Sequence, residues 1–79
     1  MNLNIISSKE TIHHEIVWLE INTPVGNMII QKNHVPMIIE LEPHKEIAYQ
    51  LNNGKQQTMP ISRGFVHVTR TEIKIIIQR

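Results

Sequence analysis

The sequence specifies an all-β domain, a two-sheet antiparallel β-sandwich of about eight to ten short strands. Three observations predict it. The apolar residues are branched at the β-carbon, with 15 Ile and 5 Val against 4 Leu and 1 Ala. Such side chains are stiff at χ1 and suit a pleated surface, while the best helix formers are scarce. Apolar residues also alternate with period two: Ile47, Tyr49 and Leu51 against Glu46, Ala48 and Gln50, and Ile73, Ile75 and Ile77 against Lys74, Ile76 and Gln78. Finally, turn-forming residues recur every few positions, and no window sustains a helical period.

Taken in order, Leu3–Ile6 is a first strand, closed by Ser7-Ser8. A long strand follows from Thr11 to Ile21, in which Val17, Leu19 and Ile21 face one way and Trp18 and Glu20 the other. The apolar phase shifts along it, which predicts a β-bulge at His13-His14. Thr23-Pro24-Val25-Gly26 is a turn, Met28–Gln31 a strand, and Lys32 to Pro36 a second turn. Met37–Leu41 ends at Glu42-Pro43-His44. Lys45–Leu51 and Gln56–Ile61 flank Asn52-Asn53-Gly54, where an Asn-Gly step favours positive φ and closes a hairpin. Ser62-Arg63-Gly64 breaks the chain again, and Phe65–Val68 pairs with Ile73–Gln78 around Thr69-Arg70-Thr71.

With 79 residues the chain is one domain, hiding about 60% of the surface it exposes unfolded. A cleft between lobes is excluded. There is no cysteine, hence no disulfide, thiolate metal site or cysteine nucleophile, which points to an intracellular address. No apolar stretch approaches the roughly 20 residues needed to span a bilayer. The net charge of +1 supplies no strong steering field. Charge does sort along the chain: residues 1–54 hold 3 Lys and 6 Glu (net −3), residues 55–79 hold 5 Lys/Arg and 1 Glu (net +4). In a sandwich both halves enter both sheets, so this sorting makes no dipole by itself.

Chemistry is sparse. Five histidines invite a metal reading, but His13 and His14 are adjacent and point to opposite faces, His34 and His44 sit in turns, and His67 stands alone on a strand. No metal site or cofactor is expected. Gly26, Gly54 and Gly64 are isolated, so no glycine-rich phosphate loop exists, and the serines lack a nucleophile elbow. The chain reads as non-catalytic. A small β-domain that binds nucleic acid or a small ligand is the alternative; it needs stacked aromatics beside a basic groove. Trp18, Tyr49 and Phe65 are dispersed, and Arg63, Arg70, Lys74 and Arg79 do not interleave with them. More telling are Ile6, Trp18, Ile29, Ile38 and Ile76, apolar residues on faces that alternation assigns to solvent. They point either to edge variation and strands buried on both sides at the sandwich rim, or to a surface that packs on another protein.

The segment Gly26-Asn27-Met28-Ile29-Ile30-Gln31-Lys32-Asn33-His34-Val35-Pro36-Met37 resembles the Gly-x-apolar-Gly run leading to Asn/Gly-His-Ala-Pro-Leu of the epsilon subunit of F-type ATP synthases. Ile61-Ser62-Arg63-Gly64-Phe65-Val66-His67-Val68 is similar to that family's Ile-Ser-Gly-Gly-Phe-x-x-Val. Leu3-Asn4-Ile5-Ile6 and the Leu41-Glu42-Pro43-His44 turn fall where the family has a strand and an apolar-x-Pro-Gly turn. The resemblance implies a sandwich of two five-stranded sheets in the central stalk, bound to the gamma subunit and resting on the c-ring. It implies coupling of ion translocation to ATP synthesis or hydrolysis, without nucleic acid and without insertion into the bilayer. The implied location is the cytoplasmic side of the bacterial inner membrane, held peripherally through the complex. Carried over residue by residue, the c-ring loop maps onto Gly26, Asn27 and Met28, and the implied interface with the c-ring and gamma subunit takes in Ile29 and the following turn at His34. Ile29, His44 and Arg63 replace family glycines, which predicts altered loop paths. The sequence stops after the final strand, so the family's C-terminal helical hairpin, with its nucleotide site and inhibitory arm, is expected to be missing.

Overall fold

The structure, a computed structural model, describes residues 1–78. Eight strands follow one another: β1 (Asn2–Ile6), β2 (Thr11–Thr23), β3 (Gly26–Gln31), β4 (Met37–Glu40), β5 (Glu46–Leu51), β6 (Gln56–Pro60), β7 (Arg63–Val68) and β8 (Glu72–Gln78). One sheet, called A, runs β4-β7-β8-β1-β2, and the other, B, places β2 between β3 and β5 with β6 beyond. The long strand β2 serves both sheets. Its first half pairs with β1, and its second half pairs with β3 on one edge and β5 on the other. Counting β2 twice, the sheets hold five and four strands, one fewer than the two fives that the resemblance implies.

Pairing is antiparallel throughout except between β1 and β8, which run parallel, Leu3 opposite Ile73 and Ile5 opposite Ile75. That pair departs from the all-antiparallel expectation. The two strands lie at opposite ends of the sequence, so no hairpin turn dictates their direction, and parallel alignment still sets Leu3 and Ile5 beside Ile73 and Ile75.

Alternation builds the core. Leu3, Ile5, Ile16, Val66, Val68, Ile73, Ile75 and Ile77 point inward from sheet A. Leu19, Ile21, Ile30, Ile47, Tyr49 and Met59 meet them from sheet B, and Leu41 and Ile61 seal the loops. Each fully buried aliphatic side chain contributes roughly 1.5–3 kcal/mol of transfer free energy. No buried side-chain polar atom among the described residues lacks a hydrogen bond.

The bulge lies elsewhere than His13-His14. Those two residues keep regular register opposite Asn4 and Leu3. The register shifts between Ile16 and Trp18, so Val17 is the inserted residue and its side chain is exposed. Before it Ile12, His14 and Ile16 face the interior; after it Leu19, Ile21 and Thr23 do. Val17 therefore does not share a face with Leu19 and Ile21. The strand switches sheets there, and one extra residue keeps its apolar side inward on both.

Strand bounds elsewhere differ from expectation by one or two residues. Arg63 and Gly64 belong to β7, opposite Gln78 and Ile77, because Ile61 and Ser62 alone make the break. Strand β3 begins two residues before the expected Met28, at Gly26, with Asn27 opposite Asn22. Strand β6 ends on Pro60, tolerated because the strand is an edge.

Candidate partner-binding surface

The predicted contact residues occupy an edge strand and the turns at its two ends. At the first turn Thr23 Oγ1 donates to the Gly26 carbonyl at 2.9 Å and accepts from the Val25 amide at 3.3 Å. Gly26 has φ 134, a conformation that a Cβ would strain, which is why glycine closes this hairpin. Val25 at the tip is 97% exposed. Asn27 Nδ2 donates to Asn22 Oδ1 at 3.3 Å, and Asn22 Nδ2 donates to the Glu46 carbonyl at 3.4 Å, so the amides bridge β3, β2 and β5. Met28 packs partly against the core, whereas Ile29 stands exposed opposite Glu20.

His34 is not beside them. It lies in the turn past the far end of β3, roughly 17 Å of extended chain away at 3.3 Å per residue. Its Nδ1–H donates to the Val35 carbonyl at 3.1 Å, and Asn33 before it takes φ 66. Shallow grooves of about 310 and 290 Å³ join this turn to Arg70, lined further by Lys32, Glu15 and Pro36. The sequence-predicted set is thus two separate regions, one at each end of β3.

The outward apolar residues also divide. Trp18 and Ile29 lie on the outer face of sheet B, where Trp18 Nε1 donates to Gln50 Oε1 at 2.9 Å. Ile6, Ile38 and Ile76 lie on the outer face of sheet A. There Phe65 stands opposite Ile76, and Ile76 opposite Ile6, forming an apolar row across β7, β8 and β1. Ile38 sits diagonally from Phe65, two pairs along the β4–β7 ladder and on the same face. Ile38 is 75% and Phe65 55% exposed. Sequence reasoning counted Phe65 as a dispersed aromatic. The signal that finds it is its phase against Val66 and Val68 in the same strand.

Polar side chains border that row. His13 Nδ1–H donates to Asn4 Oδ1 at 2.9 Å, Asn4 Nδ2 donates to Glu72 at 3.5 Å, and Lys74 Nζ lies 3.6 Å from Glu72. Among the described residues no group of three or more His, Cys, Asp or Glu gathers at metal-binding distance. His14 turns inward instead, its ring 5.3 Å from that of Tyr49. Tyr49 is buried, its hydroxyl donates to Gln57 Oε1 at 3.1 Å, and burial pushes its pKa up. With Tyr49 in the core, Trp18 on one outer face and Phe65 on the other, the three aromatics share no surface on which bases could stack. Such an arrangement can bind by shape, and among the described residues no reactive constellation is gathered.

Two comparisons bear on what kind of protein carries this surface. The family model described as "ATP synthase, Delta/Epsilon chain, beta-sandwich domain" matches residues 1–79. Among solved structures, a chain of the Euglena gracilis mitochondrial ATP synthase, in a cryo-EM structure of its OSCP/F1/c-ring, superposes with TM-score 0.87 at 24% identity. It covers 95% of this chain and 48% of that one. A chain of the Tetrahymena thermophila mitochondrial ATP synthase central stalk/c-ring gives TM-score 0.85 at 13% identity, covering 100% of this chain and 63% of that one. The present chain therefore spans about half to two thirds of the length of these structural neighbours.

Proposed function

The chain belongs to the family of ATP synthase delta/epsilon β-sandwich domains, and from that premise we propose that it acts as a non-catalytic rotor element of the central stalk. In this reading it binds a gamma-type subunit and rests on the c-ring, so that ring rotation reaches the catalytic head through it. It is held at the membrane peripherally, through the complex. No helix of the described chain is long and apolar enough to cross a bilayer.

The observation that carries the proposal is the family match along all 79 residues. The surface supports it. The apolar row Phe65–Ile76–Ile6 with Ile38 supplies dry contact area of the kind protein interfaces bury at their centre. The β2–β3 turn, with Val25 projecting and Asn27 held by Asn22, supplies a rigid end for docking on a ring of polar loops. The coupling is mechanical: a stiff sandwich held at two places transmits torque without chemistry of its own.

Mixing the purified chain with a gamma-type subunit and passing it over a sizing column tests the reading. Co-elution at micromolar concentration is the expected result, weakened by Phe65→Glu, while Asn27→Glu or Met28→Arg weakens attachment to a c-ring. Separate elution of chain and subunit overturns it.

A further inference from the structure

The tip of the β5–β6 hairpin carries a chemistry that partner binding does not use. Asn53-Gly54 is the sole Asn-Gly step in the sequence, and both residues are exposed. Asn53 Oδ1 accepts a hydrogen bond from the Lys55 amide at 3.0 Å, which folds the carboxamide across the intervening Gly54 peptide nitrogen. Gly54 has φ 92, which glycine adopts without strain, and no heavy atom lies within 4 Å of where a Cβ would sit, so the tip is open on that side. Its N–H donates to the Leu51 carbonyl at 2.9 Å.

We propose that Asn53 is a site of spontaneous deamidation whose rate is set by opening of this turn. The deprotonated Gly54 nitrogen attacks Asn53 Cγ and forms an N–Cγ bond. The Cγ–Nδ2 bond breaks, and the departing nitrogen takes up a proton and leaves as ammonia. Water then opens the five-membered succinimide at one of its two carbonyls, giving aspartate or isoaspartate at position 53. The sequence is cyclisation and hydrolysis, so no oxidant or reductant enters.

The turn acts on this reaction in two directions. The Lys55 amide polarises the attacked carbonyl and stabilises the oxyanion that forms on it. The Leu51 carbonyl holds the Gly54 proton whose loss starts the reaction. Fraying of the tip releases that proton, so conversion follows local opening. The consequence reaches beyond one residue. A new carboxylate brings the formal net charge from +1 to zero. Isoaspartate also adds a main-chain methylene inside the turn that sets Gln50 opposite Gln56 and Tyr49 opposite Gln57.

The test is incubation of the whole chain at mildly alkaline pH, followed by trypsin digestion and mass and isoaspartate analysis of peptide 46–55, with fragmentation to separate Asn52 from Asn53. The expected result is conversion at Asn53 ahead of every other asparagine, abolished by Asn53→Gln and accelerated by denaturant below the unfolding transition. Conversion at Asn53 no faster than at the other asparagines overturns the proposal. So does a rate that denaturant leaves unchanged or slows.

Discussion

His44 has φ 61, in the left-handed region that costs an L-residue with a Cβ about 1–2 kcal/mol. Of the three positions where the resemblance sets a glycine, it is the one with a left-handed backbone; Ile29 and Arg63 sit in strands without positive φ. His44 thus takes a conformation that glycine favours, and its amide donates to the Ser62 carbonyl at 3.0 Å and holds the turn. His44→Gly relieves the strain at some entropic cost in the unfolded chain, and we expect a gain of about 0.5–1 kcal/mol in chemical denaturation. No change or a loss contradicts this account of the turn. Tyr49 gives a second residue-scale prediction. Burial raises its pKa in the folded state, so the unfolded chain releases the phenolic proton first as pH climbs. The raised pKa leaves stability unaffected below the unfolded tyrosine pKa and lowers it progressively above, toward the folded value. Tyr49→Phe should flatten that alkaline decline in denaturation midpoints, at a cost of about 0.5–1.5 kcal/mol near neutral pH from the lost bond to Gln57.

At the scale of elements, β2 decides the architecture, because one strand enters two sheets and needs an extra residue to do so. Deleting Val17 removes the bulge and turns either Ile12, His14 and Ile16 or Leu19, Ile21 and Thr23 out of the core. The expected outcome is loss of cooperative unfolding and of dispersed amide signals, whereas Val17→Thr, which keeps the count, should fold normally. A well-folded deletion variant contradicts the reading. That bulge also marks the limit of what the chain reveals on inspection. Strands such as β7 and β8 were legible because Val66, Val68, Ile73, Ile75 and Ile77 hold strict alternation. In β2 the run Ile16-Val17-Trp18-Leu19 is apolar on every position, so alternation cannot mark where the phase slips. The parallel β1–β8 pair was likewise hidden, since it joins residues about 70 positions apart and leaves no turn to read. The candidate site was legible as residue types and not as a place. Gly26 and His34 lie within a few positions of each other in sequence, and only the extended path of β3 separates them.

For the whole molecule, the charge sorting along the chain does not become a charged face: β1, β7 and β8 share sheet A with half of β2, and the acidic and basic segments interleave. What distinguishes the exterior is apolar: Val17, Val25, Ile29 and Val35 are exposed singly, while on sheet A Ile38, Phe65 and Ile76 stand exposed near one another with Ile6 half-buried. An exposed row of this kind is costly to leave wet, and the proposed partner contact would bury it. Replacing Phe65 with Glu touches only the outer face, so denaturation midpoints should move by about 0.5 kcal/mol or less while binding weakens. The most direct measurement of the central claim is isothermal titration of the chain into a gamma-type subunit, run in parallel with Phe65→Glu at equal folded concentration. Saturable binding with a negative heat-capacity change, reduced by the substitution, is the result the account predicts. No binding heat and no co-elution with the folded chain, or binding that Phe65→Glu leaves unaltered, would contradict it.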